Sequence, residues 1–189
     1  MDLLRQTPLI GRHRERKALL APFGGWNMPI QYDGILAEHR WCREKAALFD
    51  VCHMGEFLYR GDIVAGGLED AFTFSVASIP EGRSRYGFLL NERGGVIDDL
   101  IVFRLAKDEA MLGVNAATAD NDFAVIRSRL KAGPQFSDIS AATGKLDPQG
   151  PLSRDVLTDL LGRDIPSIPY FRFITRDILG GKAIVSRTG

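Results

Sequence analysis

The chain has 189 residues, 45% of them hydrophobic and 25% charged, with 24 acidic side chains balancing 24 basic ones. That composition suits a globular protein of one large or two small domains and excludes a disordered chain. A net charge of zero excludes the basic excess of a nucleic-acid binder, and no apolar run is long enough to cross a membrane. The start, Met1 to Gln6, carries neither a signal peptide nor an Arg- and Ser-rich transit peptide, so a cytoplasmic location is expected.

Residues 1–21 carry a short helical pattern in which Leu19 and Leu20 lead into Pro22, and the basic stretch Arg12–Lys17 reads as a solvated face. Pro22–Tyr32 holds two glycines, two prolines, Trp26 and Met28, which predicts an irregular segment pinned by aromatics. Over Gly34–Phe49, Ile35, Leu36, His39, Cys42, Ala46 and Phe49 recur at helical spacing. His39 on that stripe reads as a hydrogen-bonded core histidine. Cys42 and Cys52 show no CxxC spacing, and His13, His39 and His53 form no HxxxH or HExxH pattern, so structural thiols and no metal are expected.

From residue 51 the order of elements is informative. Val51–Tyr59 reads as a strand and Asp62–Phe74 as a helix with Asp62 as its N-cap. Strands follow at Arg85–Leu90, Val96–Leu105 and Ala110–Asn115, then a helix from Thr118 or Asp120 through Phe123, Ile126 and Leu130, and a strand at Phe136–Ile139. The order β-α-β-β-β-α-β is a ferredoxin-like split unit with an extra strand, an α+β arrangement of antiparallel sheet and flanking helices. Beyond Gly144–Pro151 come a helix near Ser153–Leu161 and two strand-like runs, Tyr170–Thr175 and Lys182–Ser186, about Gly180 and Gly181.

The stretch Tyr86–Arg104 contains the strongest chemical signal. Two apolar runs flank a loop, Asn91 to Gly95, of hairpin length, and the second run carries Asp98 and Asp99. Side chains alternate along a strand, so Asp98 shares a face with Val96, Leu100 and Val102, and Asp99 with Ile97, Ile101 and Phe103. Both faces are apolar, and an unsolvated carboxylate costs several kcal/mol unless something compensates. Either solvent reaches the pair at the hairpin end, or at least one acid meets a partner, a ligand or a water-filled cavity. A bulge beside Gly94 and Gly95 would exchange the two faces.

The chain resembles the T-protein of the glycine cleavage system, a folate-dependent aminomethyltransferase. The motifs that carry the likeness are Thr7-Pro-Leu, Pro22-Phe-Gly-Gly-Trp-Asn-Met-Pro-Ile-Gln-Tyr32, Glu38-His-Arg and Ala47-Leu-Phe-Asp-Val-Cys-His-Met-Gly-Glu56. They continue with Gly94-Gly-Val-Ile-Asp-Asp-Leu-Ile-Val102, Val114-Asn-Ala, Pro148-Gln-Gly-Pro and Ser186-Arg-Thr-Gly189, in register over nearly the whole chain. The resemblance implies an enzyme that moves a one-carbon unit from an aminomethyl-dihydrolipoyl carrier protein (H-protein) to tetrahydrofolate, with release of ammonia. It implies that 51–139 is a ferredoxin-like domain inserted in a first domain made of 1–50 and 140–189, and that Pro22–Tyr32 lies at the folate channel or is a packed surface loop.

The same resemblance gives Asp98 the catalytic role of steadying positive charge on the migrating carbon and taking a proton from the attacking nitrogen. Met54 would pack against the folate ring or be a core methionine, and Tyr86 would line the channel. Asn115 would hydrogen-bond the pterin edge or cap the following helix. Leu90 and Val114 would form apolar walls. The family usually has Ser at the position of Cys52, a change of little consequence for a small buried side chain. The family also continues past Gly189 for roughly as much sequence again, so this chain reads as an N-terminal portion, expected to be inactive alone. Most groups that hold the pterin and the anionic folate tail would lie beyond it, and weak or absent folate binding is expected, with Arg83 and Arg85 the basic pair near the site. The rival readings are another folate-dependent demethylase or one-carbon transferase of the superfamily, and a non-catalytic folate-binding protein of iron–sulfur assembly.

Overall fold

The structure, a computed structural model, describes residues 4–188, so Gly189 of the last motif lies outside the described residues. In chain order the first elements are α1 (Ile10–Glu15), β1 (Leu19–Phe23), β2 (Trp26–Gln31), α2 (Ile35–Glu44), β3 (Ala47–Asp50) and β4 (Gly55–Arg60). Then come β5 (Ser84–Leu90), β6 (Val96–Ala106), β7 (Glu109–Val114), α3 (Ala119–Arg129) and β8 (Gln135–Asp138). β9 (Leu146–Gln149), α4 (Ser153–Leu161), β10 (Arg172–Ile178) and β11 (Gly181–Arg187) complete the chain. The fold is α+β with antiparallel sheets and few helices, as the order of elements predicts.

Two compact units form: residues 1–53 with 142–167, and residues 54–141 with 168–189. In the first, β1 and β2 make a hairpin through Gly24 and Gly25, both at positive φ, and β3 pairs with β9. The segment Pro22–Tyr32 is therefore not irregular, and Leu19 and Leu20 are strand rather than helix residues. Pro22 and Pro29 fit because a two-stranded sheet has only edge strands, where a missing N–H faces no partner.

The expected helix at Gly34–Phe49 shortens to α2, whose apolar stripe is uncovered among the described residues: Ile35 is 60% and Leu36 73% exposed. His39 is exposed with that stripe, so it is no core histidine. The buried one is His13. Its Nδ1 lies 2.7 Å from the Tyr32 hydroxyl and its Nε2 2.8 Å from Oδ2 of Asp50, which also accepts from the Thr7 hydroxyl at 2.6 Å. Cys52 is buried, its Sγ donating to the Lys145 carbonyl at 3.3 Å and accepting the Lys145 N–H at 3.2 Å, as a structural thiol outside any disulfide among the described residues.

The second unit is a five-stranded antiparallel sheet in the order β5-β6-β7-β4-β8. Its strand order is that of the split unit, with β5 as the additional edge strand. The core lies between the sheet and α3, built from Phe57, Tyr59, Leu89, Leu100, Val102, Leu112, Val114 and Ile126. The hairpin β10–β11 belongs here as well, through a bridge between Arg83 and Arg172 and an edge-on contact of Phe173 with Phe103. The sequence-based division puts that hairpin in the other domain.

The helix expected over Asp62–Phe74 is absent. Asp62 does cap, accepting the N–H groups of Val64 at 2.9 Å and Ala65 at 2.7 Å. The chain then meets Gly66 and Gly67, and Gly67 takes φ +87°, so only a 3₁₀ turn at Leu68–Ala71 follows. A Cβ on Gly66 would come 2.0 Å from the Tyr59 hydroxyl and 2.5 Å from both the Asp62 carbonyl and Pro134. Gly66→Ala is therefore expected to destabilise the second unit by about 2 kcal/mol or more, read as faster hydrogen exchange of the β4 amides.

Candidate active site

β6 sets the site. Leu89 of β5 pairs with Asp98 and Phe88 with Asp99, and a bulge sits between Val96 and Asp98. The alternation survives: Asp98 lies on the face of Leu100 and Val102, and Asp99 on the face of Ile101 and Phe103. The first face is covered by α3. Asp98 is accordingly only 7% exposed, and it meets the start of that helix rather than open space.

Asn115, between β7 and α3, ties the two acids together. Its Nδ2 donates to Oδ1 of Asp98 at 2.8 Å and to Oδ1 of Asp99 at 3.1 Å, and its backbone N–H donates to Oδ2 of Asp98 at 3.2 Å. The Thr118 hydroxyl donates to the same Oδ2 at 2.8 Å instead of capping α3. Burial works to raise the Asp98 pKa, but hydrogen bonds from Asn115, Asp122 and Thr118 outweigh it and hold the carboxyl below the usual range.

Behind Asp98 stands Asp122, in the first turn of α3 and fully buried. Burial first, and then the facing Asp98 carboxylate, push its pKa up to about 7. As a carboxylate it has only the Thr118 hydroxyl near it, which donates to Asp98 instead, and its contact with Asp98 is a bond only when a proton lies between the two acids. A raised pKa in the fold means that the stabilising contribution is complete below the ordinary carboxylate value and is lost as pH rises through about 7. Stability of wild type is thus expected to fall between about pH 4 and about pH 7 by up to about 1.4 kcal/mol per pH unit, a component that Asp122→Asn removes. Asp98, with its lowered pKa, works in the opposite sense and loses its contribution only under more acid conditions. Urea unfolding of both proteins across that range checks the sign.

On the other face the surroundings differ. Asp99 is half-buried, and Tyr86 and Phe88 beside it are 46% and 38% exposed, with their rings edge to face at 5.5 Å. Desolvation first, and the nearby Asp99 carboxylate next, raise the pKa of the Tyr86 hydroxyl. No Lys or Arg pairs with Asp99 among the described residues.

Of the residues singled out in sequence, Tyr86 and Asn115 therefore gather around Asp99 and Asp98. Met54 is half-buried in the turn before β4, and Leu90 is half-buried at the end of β5. Leu90 borders a shallow cleft of about 430 Å³ with Asp70, Thr73, Glu92 and Arg129. Val114 corrects the expectation of a channel wall: it is fully buried in the core, where a Cβ on Gly55 would touch it. Arg85 spreads over the Phe74 ring at 5.4 Å, on the face away from Asp99. Asp122 and Thr118 were not singled out as site residues. The available signal was an acid four residues before Ile126, on the apolar side of a helix. No group of three or more His, Cys, Asp or Glu able to hold a metal occurs among the described residues.

The family model "GCVT N-terminal domain" matches residues 9–189. The chain belongs to the GCVT N-terminal domain family. Its relatives include a curated aminomethyltransferase of Thermotoga sp. (strain RQ2), 38% identical over 187 residues, covering 98% of this chain and 51% of that protein. Another, from Geobacillus sp. (strain WCH70), is 38% identical over 188 residues, covering 99% of this chain and 52% of its own. The crystal structure of glycine cleavage system aminomethyltransferase T from Bartonella henselae superposes with a TM-score of 0.84 at 35% identity, over 90% of this chain and 47% of that one. Heterotetrameric sarcosine oxidase from Corynebacterium sp. U-96 shares the fold, with a TM-score of 0.56 at 18% identity over 81% of this chain and 77% of that one. This GCVT N-terminal domain chain spans about half the length of the curated relatives it matches. No helix among its described residues is long and apolar enough to cross a membrane.

Proposed function

We propose that the protein carrying this chain is a tetrahydrofolate-dependent aminomethyltransferase of glycine cleavage, which takes the one-carbon unit from an aminomethyl-dihydrolipoyl H-protein and releases ammonia. The observation that carries the reading is the Asp99 carboxylate, set on the face of β6 away from α3, beside the exposed Tyr86 and Phe88 rings and held by the Asn115 amide, with no Lys or Arg pairing with it among the described residues. Tetrahydrofolate supplies the nucleophilic nitrogen that receives the carbon.

As the carbon leaves its first heteroatom it gains positive charge. A fixed carboxylate stabilises that charge without reorganising, and the same oxygen can take the proton shed at nitrogen. Asp99 fits this task better than Asp98. Asp98, to which the sequence resemblance gives the role, has both oxygens committed to Asn115 and Thr118 and lies under α3. In this reading Asp98 holds Asn115, and Asn115 holds Asp99. Tyr86 and Phe88 offer an aromatic wall to a flat heterocycle, and the Oδ1 of Asn115, with no partner among the described residues, offers an acceptor to its edge. The chain has no resident metal or cofactor in this scheme.

The test is an assay of the complete gene product with aminomethylated lipoyl carrier protein. Ammonia release that requires tetrahydrofolate supports the transferase. Turnover of a methylated amine without the carrier would assign the protein to the demethylases instead, and folate binding without turnover to the non-catalytic relatives.

A further inference from the structure

Asp122 has no part in the chemistry above, yet its placement is costly. An acid in the first turn of a helix ordinarily faces water and meets free N–H groups. Here the side chain turns inward, on the side of Ile126 four residues on, with no exposed surface. The donor near its oxygens is the Thr118 hydroxyl, whose single hydrogen is directed to Oδ2 of Asp98, and the neighbour it faces is another acid. A bare carboxylate in that position would carry a desolvation cost of several kcal/mol and a like-charge repulsion besides.

A single proton removes both penalties. The protonated acid becomes a donor, and Asp98 is the acceptor in front of it. Asp98 then receives the Asn115 amide and N–H, the Thr118 hydroxyl and the Asp122 O–H, about as many donors as a carboxylate can take. The remaining hydrogen of the Asn115 amide is shared between Oδ1 of Asp99 at 3.1 Å and the Asp99 carbonyl at 3.2 Å. An unbroken sequence of donors and acceptors runs from the core of the second unit to the face of β6 away from α3.

We propose that Asp122 is a positioning residue, a protonated carboxylic acid that donates to Asp98 and so fixes, through Asp98 and Asn115, the orientation of the Asp99 carboxylate. The functional consequence rests on the reading of Asp99 as the acting acid; the hydrogen-bond sequence itself does not. Loss of the Asp122 proton sets two anions against each other, frees Asp98 to turn from Asn115, and deprives Asp99 of its fixed donor. The ionisable group that faces Asp122 is Asp98 from β6, and the neutral Thr118 hydroxyl, just before α3, is its other polar neighbour. Asp120 in the same turn is exposed, and the 3₁₀ turn packs at the far end of α3, where Gly67 lies against Arg129 and Leu130.

The experiment follows the side-chain amide resonances of Asn115 by NMR in the full chain, from about pH 5 to about pH 9. In wild type they are expected to shift with a midpoint in the neutral range. In Asp122→Asn, which keeps a donor but has no proton to lose, that titration is expected to vanish. Asp122→Leu removes the donor and is expected to displace the resonances at every pH. In the complete gene product, Asp122→Asn should abolish the alkaline fall of kcat/KM whatever its absolute level, and Asp122→Leu should lower kcat by roughly 10- to 100-fold.

An Asn115 amide that is independent of pH in wild type would overturn the proposal. So would the same titration in wild type and Asp122→Asn, or wild-type resonances in a folded Asp122→Leu. If Asp122→Leu does not fold, the wild-type and Asn comparison decides alone. If the gene product shows no transfer, the functional reading of Asp99 fails while the amide titration still decides the role of Asp122.

Discussion

Asp99→Asn is expected to lower folate-dependent ammonia release by the complete gene product by about 10²- to 10³-fold, the cost of removing one fixed group that steadies transition-state charge. The substitution keeps the size and planarity of the side chain and an oxygen to accept from the Asn115 amide, and it deletes the negative charge. Because Asp99 is half-buried on the side of β6 away from α3 and outside the core cluster, no core contact is lost. The unfolding free energy should therefore stay within about 0.5 kcal/mol of wild type. The pairing of a large kinetic effect with a small stability effect is the signature to look for. A fall in kcat with the apparent affinity for folate unchanged would place the loss in the transition state.

Asp98→Ala is expected to do the reverse in emphasis. It leaves the Asn115 N–H and amide, the Thr118 hydroxyl and the Asp122 acid without their common acceptor, where Asp98 and Asp122 are both buried. Deleting the charged member of such a network costs about 3 kcal/mol. Fluorescence would miss it, since both tryptophans, Trp26 and Trp41, belong to the first unit. Hydrogen exchange of the β6 and β7 amides reads the second unit directly, and their protection should fall by about two orders of magnitude. Transfer should fall as well, as Asn115 loses the partner that orients it toward Asp99. Unchanged protection would mean that Asp98 does not hold the start of α3.

Much of this site could be read from the chain of letters, for a reason that lies in strand geometry. A period of two is rigid, so Val96–Val102 announces two carboxylates on opposite faces, and the bulge at Ile97 leaves that alternation intact from Asp98 onward. What alternation cannot tell is which face a helix will cover. That depends on α3 returning over the sheet, a non-local event, and the choice of Asp98 over Asp99 in the sequence rests on the family resemblance, not on the alternation. Asp122 was open to the same kind of reasoning, as an acid in step with Ile126, but an acid in a first helical turn has an ordinary explanation in the helix dipole.

The local errors have similar causes. Asp62 caps as its sequence suggests, yet Gly66 packs so closely on Tyr59 and Pro134 that the chain cannot wind on into a helix. The two prolines of Leu19–Gln31 argue against strands only if the strands were central, and a two-stranded hairpin has no centre. His39 sits on an apolar stripe that nothing among the described residues covers, while His13, in a basic stretch with no such stripe, is held by Tyr32 and Asp50 from distant parts of the same unit. Burial of a polar residue follows its partners, and these are 19 and 37 residues away in sequence.

A structure of the complete gene product with tetrahydrofolate bound tests the central claim most directly. The account predicts the folate on the Tyr86 and Phe88 side of β6, with a carboxylate oxygen of Asp99 in hydrogen-bonding distance of a folate nitrogen and Asp98 still bonded to Asn115 and Thr118. A folate held by the Asp98 carboxylate, or placed away from both acids, would contradict it.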